Sequence, residues 1–301
     1  MEQTVLQKIK NTNDLAFLEE CLHNPDPHFR RCVAFNENLD ERLQRKCSED
    51  VAWEVRDGIA QNKNLCHLAG SLLVFDPNIS VRKSLAENEH LNQCLYEILA
   101  NDDEQEVRLR ALRNKGASQL TLFRASFSLD PKERAAVCAN ESVHCRILRK
   151  LYDDPFLEVR RAIAGNKKCP RWILNEYIND PSFYVRYAVV LNPNATEDML
   201  IELAEDEDSA VLDVFFNRAE ISSDVLSILS RSNDFTVRCR SAEYTNLYLE
   251  DIIRLSEDDH YCVRLSIAQN PSTPYKVLVD MYNNEKEEFD IVLVCKARIG
   301  K

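Results

Sequence analysis

The sequence predicts an all-α protein, a solenoid of about ten 26-residue two-helix repeats plus terminal caps. Three observations carry this reading. A Val-Arg dipeptide recurs at a fixed interval, apolar residues on either side of it are spaced for helical faces, and helix-stop residues follow at constant offsets.

The interval comes first. Arg56, Arg82, Arg108, Arg160, Arg186, Arg238 and Arg264 each follow Val, and successive steps are 26 residues or twice that. Arg30 after Phe29 and Arg134 after Glu133 keep the register, and Leu212 after Val211 fills the one step without Arg. One step further out lie Thr4 and Asp290, which lack the Arg, as capping units do. The expected organisation is a single solenoid over 1–301, with an N-terminal cap at 1–24, repeats at 25–283 and a C-terminal cap helix at 284–301.

The first helix of each unit is read from its ends. Asp stands six before the anchor at Asp50, Asp76, Asp102, Asp154, Asp180, Asp206 and Asp258, and Pro follows that site at Pro25, Pro77, Pro155 and Pro181. A carboxylate can cap free N–H groups and Pro needs no donor at a first helical position, so the pair is read as a helix start. Val159, Ile163 and Ala164 show the core face. Asn then recurs six after the anchor, at Asn36, Asn62, Asn88, Asn114, Asn140, Asn166, Asn192 and Asn270. With only 5 Gly in the chain, Asn is expected to supply the left-handed residue that ends the helix, after about eleven residues. Pro193 and Pro271 stop it outright.

The second helix starts at Ser118, Thr196 or Ser222, or at Pro170 and Pro274. Its core face is the i, i+1, i+4 set seen in Ile147, Leu148, Leu151 and in Met199, Leu200, Leu203. Such a hairpin cannot bury its faces alone, so the units must stack.

Bulk composition narrows the function classes. The 301 residues are 45% apolar and 29% charged, which excludes a disordered chain. No apolar stretch approaches the roughly 18–20 residues of a membrane helix. Met1 to Asn13 is polar and mixed in charge, unlike a secretory signal, and a cytoplasmic location is expected. Eleven Cys are present, but no two are spaced C-x-x-C. In the neighbours Cys66-His67 and His144-Cys145 the two side chains point apart on a helix. No metal and no cofactor is expected, and the thiols are read as reduced core filler. There is no nucleophile elbow, Gly-rich phosphate loop or H-E-x-x-H, so the chain is not read as an enzyme.

A helix pair carrying Asp, Val-Arg and then a small residue resembles HEAT-like repeats. The run from Asp154 through Val159, Arg160, Ala162, Ile163 and Ala164 to Asn166 is similar to the repeat of the leucine-rich repeat variant family. So are Val185-Arg186 through Asn192-Pro193 to Leu203, and Val263-Arg264 through Asn270-Pro271 to Pro274. The resemblance covers nearly the whole chain and implies a right-handed stack whose first helices can be tighter than α. Cys21, Cys32 and Cys47 are too widely spaced for the iron–sulfur cluster associated with a founding member. In HEAT-like stacks the anchor Arg pairs with the Asp of its own or an adjacent unit, which implies an internal ladder rather than a phosphate site.

Charge along the chain points to a candidate site. Residues 105–171 carry 15 Lys/Arg against 7 Asp/Glu, whereas the chain as a whole has a net charge of −12. In HEAT-like stacks the second helices line the concave side, which implies that Arg124, Arg146, Arg149, Lys150 and Arg171 face outward there, with Phe123 and Trp172 among them. Lys115, Lys167 and Lys168 add charge in the turns. This face suits an acidic protein or peptide partner, and its plain alternative is a solvated face that neutralises the acidic ends. The competing class is a nucleic-acid-binding or HEAT-like DNA-repair protein, for which Trp172 near Glu176 is the candidate pair. The overall acidity opposes long duplex DNA. Trp53 is read as packing. The expected function is a non-catalytic scaffold that binds a protein partner.

Overall fold

A computed structural model describes residues 2–300; Met1 and Lys301, the outermost residues of the expected caps, lie outside them. The described residues hold twenty-three α-helices and no strand. The chain divides into two compact units, Met1–Lys168 and Cys169–Lys301.

The first unit contains α1 (Glu2–Asn11), α2 (Leu15–Cys21), α3 (Pro27–Ala34), α4 (Glu41–Ser48), α5 (Trp53–Ala60), α6 (His67–Leu73) and α7 (Ile79–Glu87). It continues with α8 (Gln93–Leu99), α9 (Gln105–Arg113), α10 (Gln119–Ala125), α11 (Pro131–Ala139), α12 (Cys145–Leu151) and α13 (Leu157–Gly165). The second unit contains α14 (Arg171–Tyr177), α15 (Phe183–Leu191), α16 (Glu197–Leu203), α17 (Ser209–Val214), α18 (Ser223–Leu229) and α19 (Phe235–Ala242). Then come α20 (Leu249–Ser256), α21 (Tyr261–Gln269), α22 (Tyr275–Tyr282) and α23 (Phe289–Ile299).

Odd-numbered helices carry the anchor register and pack on the next odd-numbered helix within each unit, forming one layer. Even-numbered helices form the other layer and pack against the odd-numbered helices beside them. This is an α-solenoid stack. The core residues are those the periodicity marks: Val159, Ile163 and Ala164 are buried, as are Ile147, Leu148 and Leu151, and Met199, Leu200 and Leu203. Ser118, Thr196, Ser222, Pro170 and Pro274 stand at the N-caps of their helices.

Three local expectations are corrected. The first helices are regular α-helices of eight or nine residues in most repeats, not eleven and not tighter than α. One 3-10 turn, Phe215–Asn217, follows α17. Second, the Asp six before the anchor is not the helix cap. Asp154 accepts from the Phe156 N–H at 3.1 Å, and Phe156 is the N-cap of α13. Asp206 likewise precedes the true cap, Asp208. Pro77, Pro155 and Pro181 therefore sit in the turn, while Pro27 and Pro131 take the first helical positions. Third, no described non-Gly residue has a positive φ. Asn88 leaves α7 in an extended conformation, at φ −69° and ψ 117°.

What the recurrent Asn does instead is join repeats. Asn88 Nδ2 donates to the carbonyls of Ala60 (2.9 Å) and Asn62 (2.8 Å) in the preceding repeat, and its Oδ1 accepts from the His90 N–H (3.0 Å). Asn62 reaches Ala34 and Asn36 in the same way, Asn140 reaches Leu112 and Asn114, and Asn270 reaches Ala242 and Tyr244. The C-terminal helix α23 has no Asn at this register. There Arg298 donates to the Ala268 and Asn270 carbonyls, both at 2.7 Å.

The anchor Arg joins repeats in the opposite direction. Arg56 binds the carbonyl of Asp50 in its own turn at 2.7 Å and the carboxylate of Asp76 in the next repeat at 2.5 Å. Arg30–Asp50, Arg82–Asp102, Arg134–Asp154, Arg186–Asp206 and Arg238–Asp258 repeat the pattern. The partner is thus the adjacent unit's Asp. Where Ser128 replaces that Asp, Glu133 takes Arg108 at 2.6 Å and accepts from the Ser128 hydroxyl at 2.6 Å.

One joint in the second unit lacks both connections. Leu212 stands in place of Arg, Ser232 in place of Asp and Tyr244 in place of Asn. Between α17 and α19 the Arg240 guanidinium lies over the Phe216 ring instead, at 4.4 Å. Arg218 occupies the Asn register of α17 and reaches the Val190 carbonyl, so that repeat stays tied to the one before it.

Candidate partner-binding face

The outward face of the second helices in the first unit is built by default. Helix α10 buries Leu122 and leaves Leu120, Phe123 and Arg124 exposed. Helix α12 buries Ile147, Leu148 and Leu151, so Arg146, Arg149 and Lys150 must point outward. Its cap is His144, whose Nδ1 accepts from the Arg146 N–H at 3.2 Å.

These cations have different fates. Arg124 is paired with Glu97 of α8. Lys150 donates to the Ser126 carbonyl at 2.9 Å, and its Nζ stands 3.8 Å from the centre of the Phe127 ring. Loss of water against that ring, with the nearby Arg134 charge, pushes the Lys150 pKa down, and Asp154 opposes the shift. Arg146 and Arg149 make no side-chain hydrogen bond or ion pair among the described residues. The other second-helix cations of this unit are neutralised: Arg42 and Lys46 both bind Glu19, and Arg45 binds Glu49. Among the described residues, α12 is the second helix of this unit that presents uncompensated guanidinium groups.

An aromatic pair meets α12 at Lys150. Phe127, 60% exposed, packs edge-on against Phe123 at 5.1 Å between ring centres. Phe127 lies in the turn after α10, outside the helical positions from which the sequence reading drew its site, so it was missed. A cavity of about 310 Å³ opens between α8 and α10, lined by Glu97, Asn101, Arg124, Phe127 and Glu133. A second, of about 330 Å³, lies between α6 and α8 and is lined by Phe75, Ile98, Asn101 and Asp102.

The remaining site candidates fall in the second unit. Arg171 and Trp172 open α14 and are both exposed, with Glu176 one turn on. Beyond them the outward face turns acidic, with Glu197, Asp198 and Glu202 exposed on α16. In the turns of the first unit Lys115 is held by Glu89 at 2.5 Å. Trp53, read as packing, opens α5 and stays 41% exposed. The eleven cysteines are free thiols, and burial pushes the Cys169 pKa up to about 12.

No protein-family model and no curated protein matches the chain. Among solved structures it is similar to a leucine-rich repeat variant described as having a novel repetitive structural motif. The match has a TM-score of 0.59 at 21% identity and covers 75% of this chain and 88% of that one. An engineered protein aligns over 96% of this chain at 14% identity, with a TM-score of 0.14. The first likeness shows that this chain has the repeat fold of the leucine-rich repeat variant. No described helix is long and apolar enough to cross a membrane.

Proposed function

We propose that this repeat protein is a non-catalytic interaction scaffold whose first unit binds an acidic protein or peptide partner on the exposed face of α10 and α12. One observation carries the reading. In an acidic chain whose second-helix arginines elsewhere in that unit are paired internally, Arg146 and Arg149 stand exposed and unpaired on the helix whose Lys150 lies over Phe127, itself packed on Phe123. Two adjacent like charges repel, and a ligand with carboxylates relieves the repulsion while gaining charge-assisted hydrogen bonds. Arg124 joins on exchange of its exposed Glu97 partner, since such surface pairs are worth only about 0–1 kcal/mol. Arg171 and Trp172 belong to the same proposal as second-unit residues of like chemistry. The interval from Arg160 to Arg186 is 26 residues like the others, which supports reading both units as one scaffold.

The test is fluorescence anisotropy with a labelled oligoglutamate peptide and, separately, a single-stranded oligonucleotide of equal charge, each at several salt concentrations. The peptide should bind, and Arg146→Glu/Arg149→Glu should weaken it by about tenfold or more with an unchanged thermal melt. Tighter binding of the oligonucleotide, with a steep salt slope, would move the assignment to a nucleic-acid-binding protein. Equal peptide binding by the wild type and the double variant would reduce the basic face to a solvated surface.

A further inference from the structure

The exposed face of α10 and α12 continues onto the earlier second helices as an apolar one. On α6, Leu68 and Leu72 are exposed, and Phe75 just beyond it is 73% exposed. Phe75 shares a cavity with Ile98 of α8, and Asn101 lines both that cavity and the next, where Phe127 stands. Phe127 in turn touches Lys150 of α12. An apolar path therefore runs from Phe75 through Ile98 to Phe127 and ends at Lys150 of α12, the helix that also presents Arg146 and Arg149. Its borders offer no free positive charge: Glu97, Asp102 and Glu133 line the two cavities already paired with Arg124, Arg82 and Arg108, and Asp103 adds an exposed carboxylate.

We propose that this path is the docking lane of a bipartite segment: an extended chain with apolar side chains at every third residue, followed by carboxylates. The proposal rests on the reading of α12 as an acidic-ligand site and adds the apolar half and its spacing. Along the lane the arginines are taken up by the protein's own carboxylates, which leaves the unpaired guanidinium groups of α12 as the place where a ligand's carboxylates are stabilised, so charge fixes the direction in which the segment lies. The spacing follows from geometry. Adjacent packed helices lie roughly 8–10 Å apart, and an extended chain in the polyproline-II form advances about 3.1 Å per residue with three residues per turn, so that i and i+3 share a face. Every third side chain then meets successive grooves. The exposed Asn101 side chain lies between the two cavities with its Nδ2 donating to the Glu97 carbonyl at 2.7 Å, and its Oδ1 is left to accept from an extended occupant, whose free backbone N–H groups need partners. A helix brings its backbone already bonded and would present matching side chains every seventh residue, at about 1.5 Å per residue.

The experiment is selection of random dodecapeptides displayed on phage against the full chain, followed by anisotropy with a synthetic peptide of the winning sequence. Selected peptides should carry large apolar residues at i and i+3, with two or more Asp or Glu at one end. Phe75→Ser/Leu72→Ser should erase the apolar preference and keep the acidic one, whereas Arg146→Glu/Arg149→Glu should do the reverse. Each double variant should weaken the synthetic peptide by about tenfold, and the exposure of all four residues keeps the melts unchanged. Enrichment for acidic residues alone would overturn the lane while leaving the basic site standing. Apolar enrichment that survives both double variants would overturn both. Spacing at seven, or no enrichment, overturns the extended bipartite ligand.

Discussion

Replacement of Asn88 by Ala removes one joint between repeats and nothing else. The substitution deletes the two Nδ2 hydrogen bonds to the Ala60 and Asn62 carbonyls and the acceptor of the His90 N–H. Three hydrogen bonds at about 1 kcal/mol each put the loss near 3 kcal/mol. The Ala60 carbonyl is left buried without its donor, which adds to that sum, while the Asn62 carbonyl keeps the Leu65 N–H at 3.2 Å. Asn88→Asp should cost more than Asn88→Ala, because a carboxylate has no N–H to give and faces two carbonyl oxygens. Asn175→Ala, on the exposed face of α14, should be nearly neutral. Urea unfolding followed by circular dichroism measures the loss, and hydrogen exchange at His90 locates it. A loss below about 1 kcal/mol for Asn88→Ala, or an Asp variant as stable as the Ala variant, would refute the joint as described.

Arg82→Ala should cost about 3–5 kcal/mol, because it strands the largely buried Asp102, whereas exposed Arg113→Ala should cost under about 0.5 kcal/mol; equal losses in urea would refute the ladder. The acid limb of stability follows from the same carboxylates. Burial raises the Asp154 pKa, but the Arg134 hydrogen bond, the Phe156 N–H and the Arg134 and Arg160 charges outweigh it and hold the carboxyl below its ordinary value. A depressed folded pKa contributes stability above the unfolded value, near 3.9, that is lost as pH falls through the folded one, so thermal midpoints should drop steeply below about pH 4. Asp154→Asn should lower the midpoint at neutral pH and flatten that limb. Hydrogen exchange should find the helical amides of 209–217 opening at lower free energy than those of 79–113, since the joint between α17 and α19 has neither ladder; matching protection would refute this.

The repeat, its core face and the second-helix caps were legible because each depends on local spacing. Val159 and Ile163 are buried by helical period alone, and Ser118 or Ser222 caps within its own first turn. The roles of Asn and Asp were not legible in the same way. Asn88 was read through its own backbone, yet its amide works on carbonyls 26 and 28 residues earlier. Asp76 was read as a cap, yet its carboxylate is shared between the Asn78 N–H and an Arg one repeat back. At the candidate face, the outward direction of Arg146, Arg149 and Lys150 followed from helical spacing. Which of them stayed unpaired did not, because Glu97 and Phe127, which engage Arg124 and Lys150, come from other elements.

The two ladders point opposite ways, and this gives the stack a chemical grammar. Asn hands protons backward to the previous repeat, and Arg hands them forward to the next one's Asp. An interior copy carries both a donor and an acceptor for each neighbour, so a duplicate of residues 56–81 placed after residue 81 would find every partner waiting. The ends have no such freedom. A last repeat exposes carbonyls that only a later donor can satisfy, and here Arg298 of α23 answers them with a different side chain from a different position. A chain written in these rules lengthens by copying an interior repeat, because each copy brings the donors and acceptors that its neighbours need.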